Sequence, residues 1–333
     1  MAPIRMAQYG TKHGHAGGKL QAMLKNEHVE VAGLYEPDQA RRQVLQNSGP
    51  YAEVRWYDEE AEMLGDDSIV AIASEGLNNE SLVQTEAIVE AGKHVWYDKP
   101  AGDDWARWQK VAQRAEEQGL LIQMGFMLRY HEGFQLLDRW TKSGLLGNIF
   151  SVRAHMSTNL TLAAREVIAA SHDAGIFYDL AGHMLDQVLW LLGRPHTVTS
   201  FLRNDSGQVP AFKDNCLGVF EFDRALAFID IAAMEPKPMA RRFEVYGDKG
   251  SVIVLEPFEP GQRLRLCLEE AGQGYAAGEQ VIELEGNGRQ LLYERELEAF
   301  LATIAGDQAP DRPMSHEVLV QETLLRATGG ISA

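Results

Sequence analysis

The stretch IRMAQYGTKHGHAGG, Ile4–Gly18, decides how the rest of the chain is read. Its first six residues are an apolar-rich run that predicts a strand. Glycines break the run at Gly10, and HAGGKLQAMLK then predicts a helix. A dinucleotide site needs such a strand–turn–helix. The turn must be tight, the backbone N–H groups must come close to a pyrophosphate, and a helix N-terminus must point at it. Gly10 and Gly14 supply the close approach, and Thr11, Lys12, His13 and His15 complete the candidate loop. The spacing is not G-x-G-x-x-G, because Lys12 stands where the second glycine belongs and His15 stands near the third. Read alone, the residues also fit a Gly-rich turn with no ligand.

Working outward, short apolar runs alternate with amphipathic stretches. VEVAGLY is a strand, and DQARRQVLQ is a helix stopped near Ser48-Gly49-Pro50. IVAIAS is a strand, SLVQTEAIVEAGK a helix closed by Gly92, and HVWYD a strand. DDWARWQKVAQRAEEQG is a helix ending at Gly119, and LLIQMGF is a strand. Alternation of this kind, with continuously apolar strands, predicts a doubly wound parallel sheet covered on both faces. After residue 126 the grammar changes. HEGFQLLDRWTKSG is a helix, and a long apolar helix runs through DLAGHMLDQVLWLLG. From Pro195 to about Leu284 the text is mostly strands with short turns, among them the hairpin signal Gly247-Asp248-Lys249-Gly250. Two helices close the chain. The expected fold is α/β: a Rossmann domain over residues 1–126, then an α+β domain over 127–333 with a large, open, mostly antiparallel sheet.

A length of 333 residues suits two domains, and 45% hydrophobic residues give each a core. The net charge of −17 removes the electrostatic footprint of a nucleic-acid binder and disfavours an anionic membrane as partner. The opening MAPIRMAQYG lacks the basic and apolar segments of a signal peptide, and Cys216 and Cys267 sit in strand-like text as buried thiols. The expected setting is cytoplasmic.

Three further constellations carry chemistry. Glu36 ends the second strand, where a carboxylate can accept both ribose hydroxyls of adenosine and repel a 2′-phosphate. It favours NAD; Arg41 and Arg42 keep NADP as the lesser alternative, and Asp38 reads as a helix cap. Tyr97-Asp98-Lys99-Pro100 places a lysine at the carboxyl end of a strand, facing the ligand crevice, with proline stiffening the turn. Asp179 and His183, four apart on a helix, share one face, and a histidine there suits proton abstraction from a hydroxyl. The alternatives are a solvated surface lysine, a capping aspartate and a core histidine. Arg129, His155, His172 and Tyr178 are candidate substrate contacts, and Arg153 is either another or a sheet neighbour. No tight ligand spacing links the histidines, so no metal is expected.

Together, the Gly-rich loop, the acid after strand two, AGKHV with DKP, and Asp-x-x-x-His on a helix before an antiparallel sheet resemble the glucose-fructose oxidoreductase / inositol dehydrogenase / rhizopine catabolism (Gfo/Idh/MocA) family. The resemblance covers nearly the whole chain. It implies that Lys99 lies by the nicotinamide and the reacting hydroxyl, that His183 is the acid/base, and that Asp179 assists it or binds substrate. It also implies a homodimer or homotetramer formed through the open sheet. Asp98 replaces the Glu of the family's Glu-Lys-Pro, and two departures stand out: Lys12 in the Gly-rich loop implies an altered phosphate grip, and Ser74–Asn79 lacks the Thr-Pro-Asn often found there, leaving Asn78 as the candidate in that wall. The leading expectation is an NAD-dependent dehydrogenase or reductase of a sugar, inositol or related polyol. The alternatives are a redox-neutral glycoside-processing enzyme that oxidises its sugar transiently, and a non-catalytic NAD- or sugar-sensing protein.

Overall fold

The computed structural model describes residues 3–254, 261–285 and 288–332. The chain divides into two units: the chain up to Phe126 together with Tyr293–Val318, and Met127–Leu292 together with the chain from Leu319 onward. The division expected at residue 126 was therefore too simple at the C-terminus. The helical text after residue 292 is shared, and most of its first helix belongs with the N-terminal unit.

The first unit holds five parallel strands: β1 (Ile4–Tyr9), β2 (Val29–Tyr35), β3 (Ala71–Ser74), β4 (His94–Tyr97) and β5 (Ile122–Met124). Their order is β2-β1-β3-β4-β5. The order reverses between β1 and β3, the point at which a doubly wound sheet opens its ligand crevice. The crossovers carry α1 (Ala16–Lys25), α2 (Gln39–Leu45), α3 (Glu60–Leu64), α4 (Ser81–Glu90) and α5 (Trp105–Glu117). Local chemistry starts these helices where the sequence implies. Asp38 accepts the N–H of Arg41 at the head of α2, and Asp104 accepts that of Arg107 at the head of α5. Strand residues Met6, Ala7, Ile72, Ala73, Val95 and Trp96 are fully buried, as central parallel strands require. Phe300 of α9 (Arg289–Ala305) stacks on Trp96, with centroids 6.5 Å apart, and Gln123 of β5 donates to the carbonyl of Glu296 at 2.9 Å. These contacts explain why the chain from Tyr293 joins this unit.

The second unit is built on α6 (Glu132–Lys142), α7 (Leu162–Ser171), α8 (Gly175–Leu192) and an eight-stranded sheet. The strands are β6 (Ile149–His155), β7 (Thr197–Arg203), β8 (Asn215–Glu221), β9 (Leu226–Ala232), β10 (Arg242–Gly247), β11 (Gly250–Val254), β12 (Arg263–Leu268) and β13 (Gly278–Glu283). Their order is β13-β12-β11-β10-β6-β9-β8-β7. Only β6 and β9 pair in parallel; the other neighbours are antiparallel, including the hairpin read at residues 247–250. Strand residues alternate: Cys216, Gly218, Phe220, Ala227, Ile229 and Ile231 are buried, and their neighbours face outward. Helix α8 buries Phe177, Ala181, Met184, Leu185 and Val188. Each such Phe, Met, Leu or Val side chain contributes about 1.5–3 kcal/mol when fully removed from water. Both cysteines are free thiols; Cys216 is buried and Cys267 partly exposed. Among the described residues no helix is long and apolar enough to cross a membrane.

Candidate functional site

In the first unit the candidate residues collect at the carboxyl ends of the parallel strands. Gly10 ends β1 with φ +82°, and a Cβ there would lie 3.0 Å from the N of Gly76, so the turn and its close approach to the β3 loop both require glycine. Gly14 is a different case: a Cβ there would meet no protein atom within 4 Å. Packing does not demand that glycine, whereas a phosphate approaching the backbone would. Helix α1 begins two residues later with no side-chain cap, so its N-terminal dipole is available to an anion. Glu36 is buried just after β2 and accepts the Thr11 hydroxyl at 2.7 Å and the Asp38 N–H at 3.0 Å. A carboxylate offers about four lone-pair directions, so two hydrogen bonds leave room for ribose hydroxyls. Arg41 binds the hydroxyl and carbonyl of Thr11 at 2.6 and 2.7 Å and braces the loop from α2. These residues fit a dinucleotide.

Lys12, the residue that breaks the glycine spacing, turns toward carboxylates. Its Nζ is 2.9 Å from Glu80, after β3, and 3.6 Å from Asp38, after β2. Asn78 lies buried in the same β3 loop. Lys99 and Pro100 are buried after β4, and the peptide between them is cis.

Beneath the loop lies a buried charge cluster. Asp98 faces His13 Nδ1 at 3.1 Å, His15 Nδ1 at 3.0 Å and Lys19 Nζ at 3.2 Å; Lys19 also reaches Glu75 at 3.1 Å and lies 4.4 Å from the Trp96 ring centroid. Burial pushes the His15 imidazole down to about 4, against the pull of Asp98. For Asp98, burial is outweighed by His13, His15 and Lys19, which hold its carboxyl well below the usual range. Glu75, also buried, is pushed well above it. Donor atoms of His13, His15 and Asp98 lie within 4.8 Å of one another, a spacing a metal ion could use. The Lys19 ammonium, beside the same carboxylate, already supplies a positive charge there. Lys19 and Glu75 were missed from sequence. The signal was present for Lys19, which shares the apolar stripe of α1 with Ala16, Leu20 and Met23 and so had to be buried with an acid.

The second unit carries the other candidates. Gly175 opens α8 with φ +56°, and a Cβ there would lie 2.5 Å from the Lys213 carbonyl, which accepts the N–H of Ile176 at 3.0 Å. That close contact fixes where α8 starts, and hence where Asp179 and His183 stand one turn apart. His183 is buried and Asp179 half-buried. His172, at the end of α7, stacks on Tyr178 with centroids 3.7 Å apart and planes within 5°. Arg129, expected to bind substrate, is buried and spends its fork on Asp186 of α8 at 2.7–3.1 Å. His155 is likewise committed: Nδ1 meets Asp230 at 2.5 Å and Nε2 meets Glu235 at 2.9 Å, and bonding to Asp230 pushes the ring up to about 9. Arg153 lies over the rings of Tyr246 and Phe228 at 5.0 and 6.0 Å, a sheet neighbour.

Residues 6–126 match the family model described as oxidoreductase family, NAD-binding Rossmann fold, and residues 134–253 match the GFO/IDH/MocA C-terminal domain. The scyllo-inositol 2-dehydrogenase (NAD(+)) of Bacillus subtilis is 24% identical over 209 residues, covering 60% of this chain and 59% of that protein. The chain spans about three fifths of the length of the curated relatives it matches. An NAD-binding oxidoreductase from Klebsiella pneumoniae superposes with a TM-score of 0.83 at 17% identity, covering 97% of this chain and 95% of that one. UDP-N-acetylglucosamine 3-dehydrogenase from Acidithiobacillus ferrooxidans superposes at 0.81, with 17% identity over 99% of this chain and 98% of that one. At such identities the structures establish the shared fold.

Proposed function

The chain belongs to the Gfo/Idh/MocA family, with an NAD-binding Rossmann fold as its N-terminal domain, and on that premise we propose that it is an NAD-dependent oxidoreductase acting on a hydroxyl-bearing carbon of a sugar, inositol or related polyol. The observation that carries the reading is Asp179 and His183 one turn apart on a buried helix, in a chain that also places Lys99 just after β4. Bound NAD supplies the two-electron acceptor for the hydrogen leaving carbon. His183 takes the hydroxyl proton at a ring nitrogen, and Asp179 orients the ring or a substrate hydroxyl. Lys99 offsets the negative charge that grows on oxygen as the proton leaves. The relative named as an inositol dehydrogenase supports a polyol. Glu36 supports NAD over NADP.

The test is a nicotinamide-reduction assay against inositols, aldoses, glycosides and sugar acids, with Lys99→Ala beside the wild type. Turnover should fall by about a hundredfold to a thousandfold, the scale of a lost charge-stabilising donor, while calorimetry still detects NAD binding. Wild-type turnover in the variant would sink the assignment. One observation favours a retained cofactor and hence the redox-neutral alternative: Lys12 pairs with Glu80 and Asp38, tying together the loops after β1, β2 and β3. NAD that survives exhaustive dialysis, with product formed and no net NADH, would select it. We also assign a second copy of the chain to the open face of the eight-stranded sheet, where Phe201, Leu226 and Val281 are about half exposed. Sedimentation velocity reads that directly.

A further inference from the structure

Asp98 is one residue before Lys99 and is not itself placed to meet a substrate: it is 2% exposed and turned into the protein. Its carboxylate accepts the backbone N–H of Lys99 at 2.8 Å. The same two oxygens face His13 and His15 from the Gly-rich loop and Lys19 from α1, all within 3.0–3.2 Å. Lys19 extends the tie to Glu75 after β3. Room for the carboxylate is kept by Gly125 after β5, where a Cβ would lie 2.8 Å from Asp98 Oδ1. Groups at the ends of β1, β3, β4 and β5 thus converge on one buried ammonium–carboxylate pair.

We propose that Asp98, held by Lys19, is a positioning residue that sets the backbone at Lys99 and the shape of the Gly-rich loop as a single unit; this rests on the reading of that loop as the dinucleotide site. Recognition of a pyrophosphate by backbone N–H groups is strongest when the loop is ordered before the ligand arrives, because ordering it on binding costs affinity. The imidazoles of His13 and His15 are turned to Asp98, so the loop meets phosphate with its backbone and the head of α1. The shorter aspartate in place of the family's glutamate fits this arrangement: His13, His15 and Lys19 come to the carboxylate, and Gly125 closes over it. Changing Asp98 to Asn keeps the shape but removes the charge that faces the Lys19 ammonium and puts an amide N–H₂ in place of one carboxylate oxygen, so the loop loses its tether.

The experiment is calorimetric titration of the full-length protein with NAD, for wild type, Asp98→Asn, Asp98→Glu and Gly125→Ala, alongside the melting temperature of each without ligand. Asp98→Asn should weaken NAD binding at least tenfold. Gly125→Ala changes no charge but displaces the carboxylate, and should weaken it several-fold. Asp98→Glu keeps the charge but crowds Gly125, and should bind NAD more tightly than Asp98→Asn and more weakly than wild type. Affinity within twofold of wild type in both Asp98→Asn and Gly125→Ala overturns the proposal, even if both melt earlier, because a purely structural role lowers stability without touching NAD. If Asp98→Asn does not fold, Gly125→Ala decides alone. Failure of the wild type to bind NAD is a separate result: it overturns the dinucleotide reading itself, and this proposal falls with it.

Discussion

His15 and His155 each sit against carboxylates, one in each unit, and they end in opposite charge states. His15 is buried and faces Asp98, yet burial drives it down to about 4, so it is neutral at pH 7. His155 is partly open to solvent, with a side chain 24% exposed, and is gripped at both nitrogens by Asp230 and Glu235; bonding pushes it up to about 9, so it is charged. A carboxylate neighbour does not by itself charge a histidine. In the first unit the Lys19 ammonium already balances Asp98, and a second buried cation would pay desolvation with little return. In the second, no lysine or arginine pairs with Asp230 or Glu235 among the described ion pairs, and water still reaches the site.

Removing Lys19 should break this contrast most severely. Lys19→Met leaves Asp98 and Glu75 buried without their cation, and breaking a buried pair in this way costs about 3–5 kcal/mol. Urea unfolding at pH 7 should show that loss. Part of it should return by pH 5.5, as protons enter the cluster in place of the ammonium. An equal loss at both pH values would mean that no proton replaces the ammonium in the cluster.

His15→Asn should have the next largest effect, seen as a slope. The folded value, about 4, lies below the ordinary 6.5. Stability linked to this ring is therefore present above pH 6.5 and is lost as pH falls toward 4. Between pH 7 and pH 5 the loss amounts to about 2 kcal/mol. The asparagine variant should lack that portion of the acid-side decline, and Asp98, held low, still contributes its own share at lower pH. A variant declining as steeply as wild type over this range would show that His15 is not buried neutral.

How much of this was legible in sequence depends on whether a residue acts through its neighbours along the chain. The parallel sheet was readable because Ile72, Val95 and their flanking runs announce buried strands, and Gly92 and Gly119 mark helix ends. Asp179 and His183 were readable because four residues of helix return to the same face. The pairing of Arg129 was not legible because its partner Asp186 is 57 residues away, and a guanidinium committed to a distant carboxylate looks like any other in sequence. The engagement of His155 was hidden for the same reason. Asp230 is its registered neighbour in the parallel pairing of β6 with β9, a pairing that local text does not reveal, since the other neighbouring strands of that sheet are antiparallel. The charge cluster was half visible: Asp98 stood out as a departure from the family pattern, but the lysine and glutamate that explain it lie 79 and 23 residues away along the chain.

The smallest effect belongs to His155, and it tests the contrast from the other side. Its folded value, about 9, lies above the ordinary 6.5, so the linked stability is complete below pH 6.5 and is lost as pH rises through about 9. The full shift would correspond to about 3 kcal/mol. Asp230 is 40% exposed, and screening by solvent reduces the expected contribution to about 1 kcal/mol. Wild type should therefore exceed His155→Gln by about that much at pH 6 and by nothing measurable at pH 9.5, with the gap narrowing in 0.5 M salt, where the Debye length is only about 4 Å. The same variant separates a latch from a substrate contact. Both ring nitrogens are already engaged, so no ring donor remains for a sugar hydroxyl. A loss of substrate affinity larger than the loss of stability would mean that the Asp230–His155–Glu235 bridge opens to admit ligand, and the comparison with His15 would then set a movable charge against a fixed one.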